Sequence, residues 1–157
     1  MAKTTRATQF LDKAGVAYTT VAYDYDPNAE RIGLQAAEAI GEHPSRVLKT
    51  LMAELDGKPV CVVVPSDKEV SMKKLASAFG GKSAAMMKPA NAEKLTGFVV
   101  GGISPFGQKK QVPTAIEISA MDEALVYMNG GQRGLQVRLS PQDALKALGA
   151  IAAPLMA

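Results

Sequence analysis

The stretch RVLKTLMAELDGKPVCVVVP, residues 46–65, decides the fold of this chain. Asp56-Gly57 separates two strand-like runs, Arg46–Leu55 and Pro59–Pro65, and an Asp-Gly pair between such runs is a strong hairpin signal. The second run is apolar at every position from 60 to 64, which is typical of a strand buried on both faces. We therefore predict a central buried strand, with Cys61 as a core residue rather than a nucleophile.

Helix and strand signals follow one another irregularly on both sides of this hairpin. Apolar periodicity and capping residues predict helices that end at Gly15 and Gly41 and helices that begin at Ser71 and Ser140. A short helical turn is predicted over Asn91–Leu95. The remaining predicted strands are Tyr18–Tyr23, Phe98–Val100, Thr114–Ser119, Leu125–Asn129 and Leu135–Leu139. This mixed order predicts an α+β domain, and the length of 157 residues predicts a single domain over residues 1–157.

Composition excludes several classes of protein. The chain is 47% hydrophobic and 21% charged, has no apolar run of the ~20 residues needed to span a membrane, and lacks a signal-peptide core. We therefore expect a cytoplasmic protein that has no membrane partner. One cysteine, Cys61, and one histidine, His43, exclude an internal disulfide, a cysteine-based zinc cluster and most histidine-based triads. A hydrolase built from this chain would work without the commonest general base, and we expect neither a metal nor a cofactor.

Lysines are concentrated in the middle third of the chain. The formal net charge is only +3, but eight lysines lie between residues 68 and 110: Lys68, Lys73, Lys74, Lys82, Lys88, Lys94, Lys109 and Lys110. This pattern is compatible with solvated helix faces and equally with a surface that binds nucleic acid.

The segment Val100–Pro105, VGGISP, is the first candidate for a functional site. Glycines that follow a strand allow backbone N–H groups to approach a carbonyl oxygen or a phosphate. A tight turn that needs positive φ explains the same glycines. The segment is not a P-loop, because Gln108 stands where the P-loop lysine would be.

Two more candidates are charged residues in unusual places. Lys49 interrupts an apolar strand on the same face as Val47 and Leu51, so it is either a lysine that needs an anionic ligand or a charge that protects a sheet edge. The loop Gly130–Gly134 presents Arg133 and is either a ligand-binding loop or a simple hairpin connection.

These pieces together resemble a known family. The chain resembles the YbaK/EbsC proteins, which are free-standing relatives of the editing domain inserted in bacterial prolyl-tRNA synthetases. The segments similar to the signatures of that family are Asp26-Pro27, VLKTL at 47–51, GFVVGGISPFGQKK at 97–110 and GGQRGL at 130–135. The resemblance covers nearly the whole chain, and the GGISP-x-GQKK run is its most specific part.

The resemblance implies a mixed, barrel-like β-sheet surrounded by helices and a hydrolase that removes a wrong amino acid from tRNA. It implies that Lys49 is the essential lysine and that Gly101 and Ser104 lie in the substrate pocket. Tyr23, Thr50 and Pro105 match pocket-lining positions, and Arg133 belongs to the GGQRGL signature. Ile32 stands where some cysteine-specific members carry phenylalanine, which leaves amino-acid selection open.

The leading hypothesis is deacylation of cysteinyl-tRNA for proline. Backbone N–H groups near Gly101 and Gly102 would stabilise the oxyanion, Lys49 would hold the terminal adenosine or its phosphate, and the substrate thiol would attack its own carbonyl. Ser104 is a rival nucleophile, although the predicted turn at His43 makes a triad unexpected.

Other functions remain open from sequence. An alanyl-tRNA deacylase of the same superfamily would differ only in its pocket lining, and a non-enzymatic module would only bind tRNA or a synthetase. We expect mischarged tRNA for proline and prolyl-tRNA synthetase as partners, and no DNA.

Overall fold

The structure is a computed structural model that describes residues 4–29 and 32–157, without the side chains of residues 32 and 33. The helices in the described part are α1 (Arg6–Ala14), α2 (Ile32–Ile40), α3 (Met72–Ala78), α4 (Pro89–Thr96) and α5 (Pro141–Leu148). The strands are β1 (Tyr18–Ala22), β2 (Leu48–Leu55), β3 (Lys58–Pro65), β4 (Ala84–Met86), β5 (Thr114–Glu117), β6 (Val126–Asn129), β7 (Leu135–Leu139) and β8 (Ile151–Ala153).

The predicted hairpin forms and organises the larger sheet. β2 and β3 pair in antiparallel fashion with Met52 opposite Cys61, and the turn places Asp56 at φ 50° and Gly57 at φ 82°. Two consecutive left-handed residues are what a two-residue hairpin turn requires. The sheet has the order β4-β2-β3-β5-β8, with β3–β5 and β5–β8 parallel. β3 is therefore the central strand, as predicted.

A second sheet of three antiparallel strands closes the fold around the core. Its order is β1-β7-β6, and a parallel bridge between Val47 and Tyr127 joins it to the larger sheet. The main core lies between the two sheets, α1 and α5, and it includes Leu11, Met52, Cys61, Phe106, Ile116, Met128, Val137 and Leu148. The predicted mixed, barrel-like α+β fold is confirmed.

The other face of the larger sheet is also covered. Val60, Val62 and Val64 of β3 pack with Leu75 of α3 and with Leu155 near the C-terminus. Burial on both faces explains why the sequence of β3 is apolar without alternation. The Cys61 side chain is fully buried, and this burial raises the pKa of its thiol to about 12, so it is a core residue as predicted.

Some predicted elements differ from the structure. Phe98–Val100 is not a strand, because Gly97 ends α4 in a left-handed conformation (φ 80°) and the chain then turns. β4 and β8, each three residues long, gave no clear sequence signal. The C-terminal residues 154–157 are held in place because the Leu155 N–H donates to Glu117 Oε1 at 2.7 Å. Within the described residues, no helix has the length and apolar character that crossing a membrane requires.

Candidate active site

A cavity of about 300 Å³ lies where the two sheets meet the first turn of α4. β2 forms one wall, residues 100–103 and the facing ends of β6 and β7 form another, and the link from β4 to α4 closes it. The cavity is lined by Tyr23, Ala36, Val47, Leu48, Lys49, Thr50, Leu51, Met52, Met86, Met87, Pro89, Ala92, Val100, Gly101, Ile103, Asn129 and Gln136. Four of the sequence-predicted site residues are in this set, namely Tyr23, Lys49, Thr50 and Gly101.

Lys49 and Thr50 are brought to the cavity by β2. Lys49 lies opposite Val64 of β3 in the ladder, and it is half-buried at the cavity wall. A cavity-lining position does not fit the alternative that Lys49 is an exposed edge-strand charge. The hydroxyl oxygen of Thr50 is buried and has no hydrogen-bond partner among the described residues. A buried oxygen of this kind is costly unless something that enters the cavity donates to it.

Gly101 is held at the cavity wall by two neighbours. Its carbonyl oxygen accepts a hydrogen bond from Asn129 Nδ2 at 3.2 Å. Its φ is 89°, and an added Cβ would lie 2.5 Å from the hydroxyl oxygen of Tyr25. Both the backbone conformation and the close approach of Tyr25 therefore require glycine at this position.

Tyr23 and Gln136 complete the polar part of the wall. The Tyr23 N–H donates to the Gly134 carbonyl at 2.9 Å, which anchors the tyrosine beside the Gly130–Gly134 loop. Burial raises the pKa of the Tyr23 hydroxyl, and a hydrogen bond with Gln136 opposes part of that rise. Gln136 is 4% exposed, and its Oε1 has no hydrogen-bond partner within residues 4–29 and 32–157.

Gly102 does not point its amide at the cavity. Its N–H donates to the Val99 carbonyl at 2.8 Å, and Gly102 is not one of the lining residues. An added Cβ at Gly102 would lie 2.8 Å from the backbone nitrogen of Arg133, so close packing of two loops explains the glycine. The Gly102 amide is therefore paired within its own loop, and its expected oxyanion role stays a prediction, whereas Gly101 lines the cavity.

Arg133 lies outside the cavity and binds the loop that forms part of the cavity wall. The Arg133 Nε donates to the Val100 carbonyl at 3.0 Å. The guanidinium carbon lies 5.3 Å from the centre of the Tyr25 ring, within the range of a cation–π contact. These contacts hold the 100–102 loop against Tyr25, and the expected substrate contact of Arg133 stays a prediction.

Ser104 and Pro105 are buried beneath the loop and do not line the cavity. Ser104 is fully buried, and its Oγ accepts a hydrogen bond from the Phe106 N–H at 3.1 Å. Their expected place in the substrate pocket stays a prediction. The prediction for Ile32 falls on a side chain that lies outside the described residues.

Among the residues that the structure describes, neither a histidine nor a cysteine lines the cavity. His43 is exposed, and its Nδ1 accepts the Ser45 N–H at 3.1 Å, in the predicted turn. Cys61 is fully buried in the core. Within the described part of the chain, no group of three or more His, Cys, Asp or Glu residues is placed to hold a metal ion.

Sequence reasoning missed several lining residues. Asn129 and Gln136 are polar residues at the ends of predicted strands, but only the register that sets them opposite one another shows that they share a wall. Met52, Met86 and Met87 contribute flexible, polarisable side chains to the apolar part of the cavity. Their signal is weak, because methionine in a strand is an ordinary core residue.

Comparison with known proteins places this arrangement in a family. The family model described as "Aminoacyl-tRNA editing domain" matches residues 26–147. The chain is 32% identical over 143 residues to the Enterococcus faecalis protein named "Putative Cys-tRNA(Pro)/Cys-tRNA(Cys) deacylase EbsC", which covers 90% of this chain and 86% of that protein. It is 24% identical over 144 residues to "Multifunctional Ser/Thr-tRNA deacylase ProXp-y" of Escherichia coli, covering 90% and 85% of the two chains.

A solved structure shows the same fold. The crystal structure of "a putative trans-editing enzyme for prolyl tRNA synthetase" matches with a TM-score of 0.84 and 24% identity, over 97% of this chain and 95% of that chain. This chain belongs to the aminoacyl-tRNA editing domain family. The resemblance to the YbaK/EbsC proteins seen in the sequence is confirmed.

Proposed function

We propose that this protein hydrolyses the ester bond of mischarged aminoacyl-tRNA, with cysteinyl-tRNA for proline as its substrate. The observation that carries the proposal is the cavity of about 300 Å³, which is lined by Lys49, Thr50 and Gln136. The buried side-chain oxygens of Thr50 and Gln136 have no hydrogen-bond partner among the described residues. Membership of the editing family and the relative named for cysteinyl-tRNA support the choice of reaction and of amino acid.

The aminoacyl group occupies the cavity in this proposal. Rotation of the Gln136 and Thr50 side chains turns their buried oxygens, which have no partner among the described residues, toward the cavity, where the ammonium group of the substrate donates to them. The amino-acid side chain lies against the apolar wall formed by Met52, Met87 and Ile103. Lys49 acts as a point charge that holds the terminal adenosine or its phosphate.

The backbone at Gly101 polarises the ester carbonyl. The donor in this proposal is the Gly101 N–H, and the carbonyl of the same peptide, that of Val100, accepts a hydrogen bond from Arg133 Nε at 3.0 Å. This peptide is therefore held in one orientation before the substrate arrives. A preorganised dipole next to developing negative charge lowers the barrier without reorganisation during the reaction.

The substrate thiol is the nucleophile in this mechanism. Its sulfur bonds to the carbonyl carbon, the bond from that carbon to the ribose oxygen breaks, and the thiol proton passes to the ribose oxygen. The product thiolactone then opens with water to give cysteine. Neither Cys61 nor His43 reaches the cavity, which supports a nucleophile supplied by the substrate or by water.

Hydroxyl-bearing amino acids are a second candidate substrate class. The unpartnered Thr50 Oγ1 and Gln136 Oε1 can accept a hydrogen bond from a serine or threonine side chain as well as from an ammonium group. One relative is named for seryl- and threonyl-tRNA. Alanyl-tRNA, which offers no such donor in its side chain, remains the alternative substrate within the same superfamily.

The test is deacylation of cysteinyl-, seryl- and alanyl-tRNA for proline by the purified protein, its Lys49→Ala variant and a matched Lys58→Ala control. Lys58 lies at the exposed end of the same hairpin. We expect cysteinyl-tRNA to be cleared fastest, and Lys49→Ala to slow the reaction about a hundredfold, a loss typical of removing one electrostatic stabiliser. The control should match the wild type.

Two outcomes would overturn parts of the proposal. Hydrolysis of alanyl- or seryl-tRNA alone would replace the substrate. Binding of tRNA with no ester hydrolysis at any enzyme concentration would leave a non-enzymatic binding module. A trapped thiolactone would support the thiol mechanism, and release of cysteine with no thiolactone would favour attack by water.

The cellular setting follows from the same proposal. A protein of this size has little surface with which to select a tRNA, so prolyl-tRNA synthetase is the expected source of tRNA selection, and the cytoplasm is the expected compartment. The whole chain, residues 1–157, is proposed as one editing domain, since Leu11 of α1 and Leu148 of α5 share the main core with the strands.

A further inference from the structure

Helix α4 separates the cavity from a second, open groove on the protein surface. Pro89 and Ala92 of α4 line the cavity, whereas Asn91 and Lys94 line the groove on the neighbouring face of the helix. Met87 belongs to the walls of both. The groove and the cavity are therefore neighbours on two faces of the same α-helix, which is about 10 Å in diameter.

The groove carries an excess of positive charge. Lys94, Lys109 and Lys110 line it and are all exposed, and Glu54 is the only acidic residue that the described part of the chain contributes to its lining. None of the three lysines forms an ion pair within the described residues. Their charges are therefore available to a ligand, and one carboxylate does not neutralise three ammonium groups.

The lysines are presented by a fixed piece of backbone. The Lys109 N–H donates to the Thr96 carbonyl at 2.8 Å, which ties the segment to the C-terminal end of α4. The preceding Gln108 is 7% exposed and its Nε2 donates to the Ser104 carbonyl at 3.0 Å. A ligand that binds this groove does not have to order the segment first, which lowers the entropic cost of binding.

We propose that this groove binds the phosphodiester backbone of the RNA acceptor stem whose 3′ end occupies the cavity. The inference rests on the proposed function, because the cavity must take the aminoacylated 3′ end. Lysine ammonium groups are point charges suited to phosphate oxygens, and such contacts position a nucleic acid without reading its sequence. The lysine stems can lie along the apolar floor formed by Pro59 and Leu95.

The experiment compares two triple variants that remove the same charge. The groove variant carries Lys94→Gln, Lys109→Gln and Lys110→Gln. The control carries Lys68→Gln, Lys73→Gln and Lys146→Gln, all at exposed positions outside the groove. Lys94 and Lys146 are both last-turn lysines of a helix, so the effect on helix stability is matched. Thermal unfolding checks that both variants remain folded.

The first readout is the affinity for uncharged proline tRNA over a range of salt concentrations. Since each phosphate contact adds close to 1 to the slope of log affinity against log salt, the groove variant should lose about 2 to 3 from that slope and bind at least about tenfold more weakly near 0.1 M salt. The control should lose much less. Uncharged tRNA cannot be hydrolysed, so this readout does not depend on the proposed reaction.

The second readout is the ratio of kcat/KM on aminoacyl-tRNA to kcat/KM on a 3′-aminoacyl adenosine, which lacks the acceptor stem. The groove variant should lower this ratio about tenfold or more, the same factor as its loss of affinity, whereas Lys49→Ala should affect both substrates. An unchanged salt slope in the groove variant, or an equal loss in the control, would overturn the groove proposal. Failure of the wild type to cleave either ester would overturn the proposed function instead.

Discussion

Thr50 and Gln136 line the same cavity from different sheets, and each brings a buried oxygen that has no hydrogen-bond partner in the described part of the chain. Thr50 comes from β2 of the five-stranded sheet and Gln136 from β7 of the three-stranded sheet. Asn129, directly opposite Gln136 in the ladder, differs because both ends of its amide are paired, with the Gly101 carbonyl and the Gly131 N–H. Among the described residues, the cavity wall therefore contains two side-chain oxygens without hydrogen-bond partners, on Thr50 and Gln136, and one side-chain amide, on Asn129, with both ends hydrogen-bonded.

Thr50→Val tests whether the unpartnered hydroxyl serves a ligand. Because the hydroxyl has no partner among the described residues, its loss should leave the free energy of unfolding unchanged or raise it by about 1 kcal/mol, while deacylation slows about tenfold. Thr114→Val is the matched control, since Thr114 is 3% exposed and its Oγ1 donates to the Val112 carbonyl at 3.0 Å. That variant should lose about 1 kcal/mol and keep its activity. Urea unfolding measures the stability of both variants, and single-turnover assays measure their activity. A stability loss in Thr50→Val equal to that of Thr114→Val would contradict the idea that the Thr50 hydroxyl serves a ligand.

Gly101→Ala and Gly102→Ala should both lower the stability of the protein, but for different structural reasons. At Gly102 the new Cβ meets backbone atoms of Gln132 and Arg133, so we expect a loss of about 1–3 kcal/mol that no single side-chain change repairs. At Gly101 it meets the Tyr25 hydroxyl, so Tyr25→Phe should recover part of the stability lost in Gly101→Ala. The remaining loss comes from the positive φ and is about 1–2 kcal/mol. Equal rescue of both variants by Tyr25→Phe would show that the two glycines are not distinguished in this way.

Ser104→Ala separates a structural hydroxyl from a nucleophile. The Phe106 N–H loses its acceptor in a fully buried position, so the free energy of unfolding should fall by about 1–3 kcal/mol. The single-turnover rate should stay within about threefold of the wild type, because loss of a true serine nucleophile costs about a millionfold. A loss of activity on the latter scale, with a folded protein, would restore Ser104 as the attacking group.

Glu117 should make stability depend on pH. Burial alone would raise the pKa of this carboxyl, but hydrogen bonds from the backbone N–H groups of Ser119, Leu155 and Met156 together outweigh it and lower the pKa. Because the folded-state pKa is depressed, the contribution is present above the unfolded value of about 4.3 and is lost as pH falls through the folded value.

Glu117→Gln provides the measurement for this pH effect. At pH 7 the variant should be about 1–3 kcal/mol less stable than the wild type, and the difference should shrink as the pH is lowered below about 4. Glu38→Gln, at an exposed helical position, is the control and should show no such trend. A difference that stays constant down to acid pH would mean that the Glu117 charge does not hold the C-terminal residues.

The sequence was sufficient to predict those parts of the fold and of the candidate site for which one local signal dominates. Asp56-Gly57 has the residues that a left-handed two-residue turn requires, and the hairpin formed as predicted. Lys49 stood out because a charge in an apolar strand has few explanations, and the structure brings it to the cavity wall. Phe98–Val100 misled because three apolar residues before two glycines resemble a strand, whereas Val99 and Val100 are 49% and 41% exposed in a turn.

The rest of the site depends on contacts between distant residues. The Gly102 amide could be assigned to Val99 only once the turn was seen, and the packing of Gly102 on Arg133 joins residues about thirty positions apart. Gln136 shows the same limit, because its strand was predicted but nothing local reveals that its oxygen lacks a partner. Burial and register, rather than residue type, decide these roles.

The division of α4 between two faces has an evolutionary consequence. Ala92 borders the cavity while Lys94, two positions away, borders the groove, so a substitution on one face leaves the other face intact. If the two proposals hold, substitutions in the cavity can change the amino acid that it accepts without weakening RNA binding in the groove. Substitutions in the groove can likewise change RNA affinity without altering the cavity. A helix of eight residues allows the two properties to diverge independently among descendants of one ancestral protein.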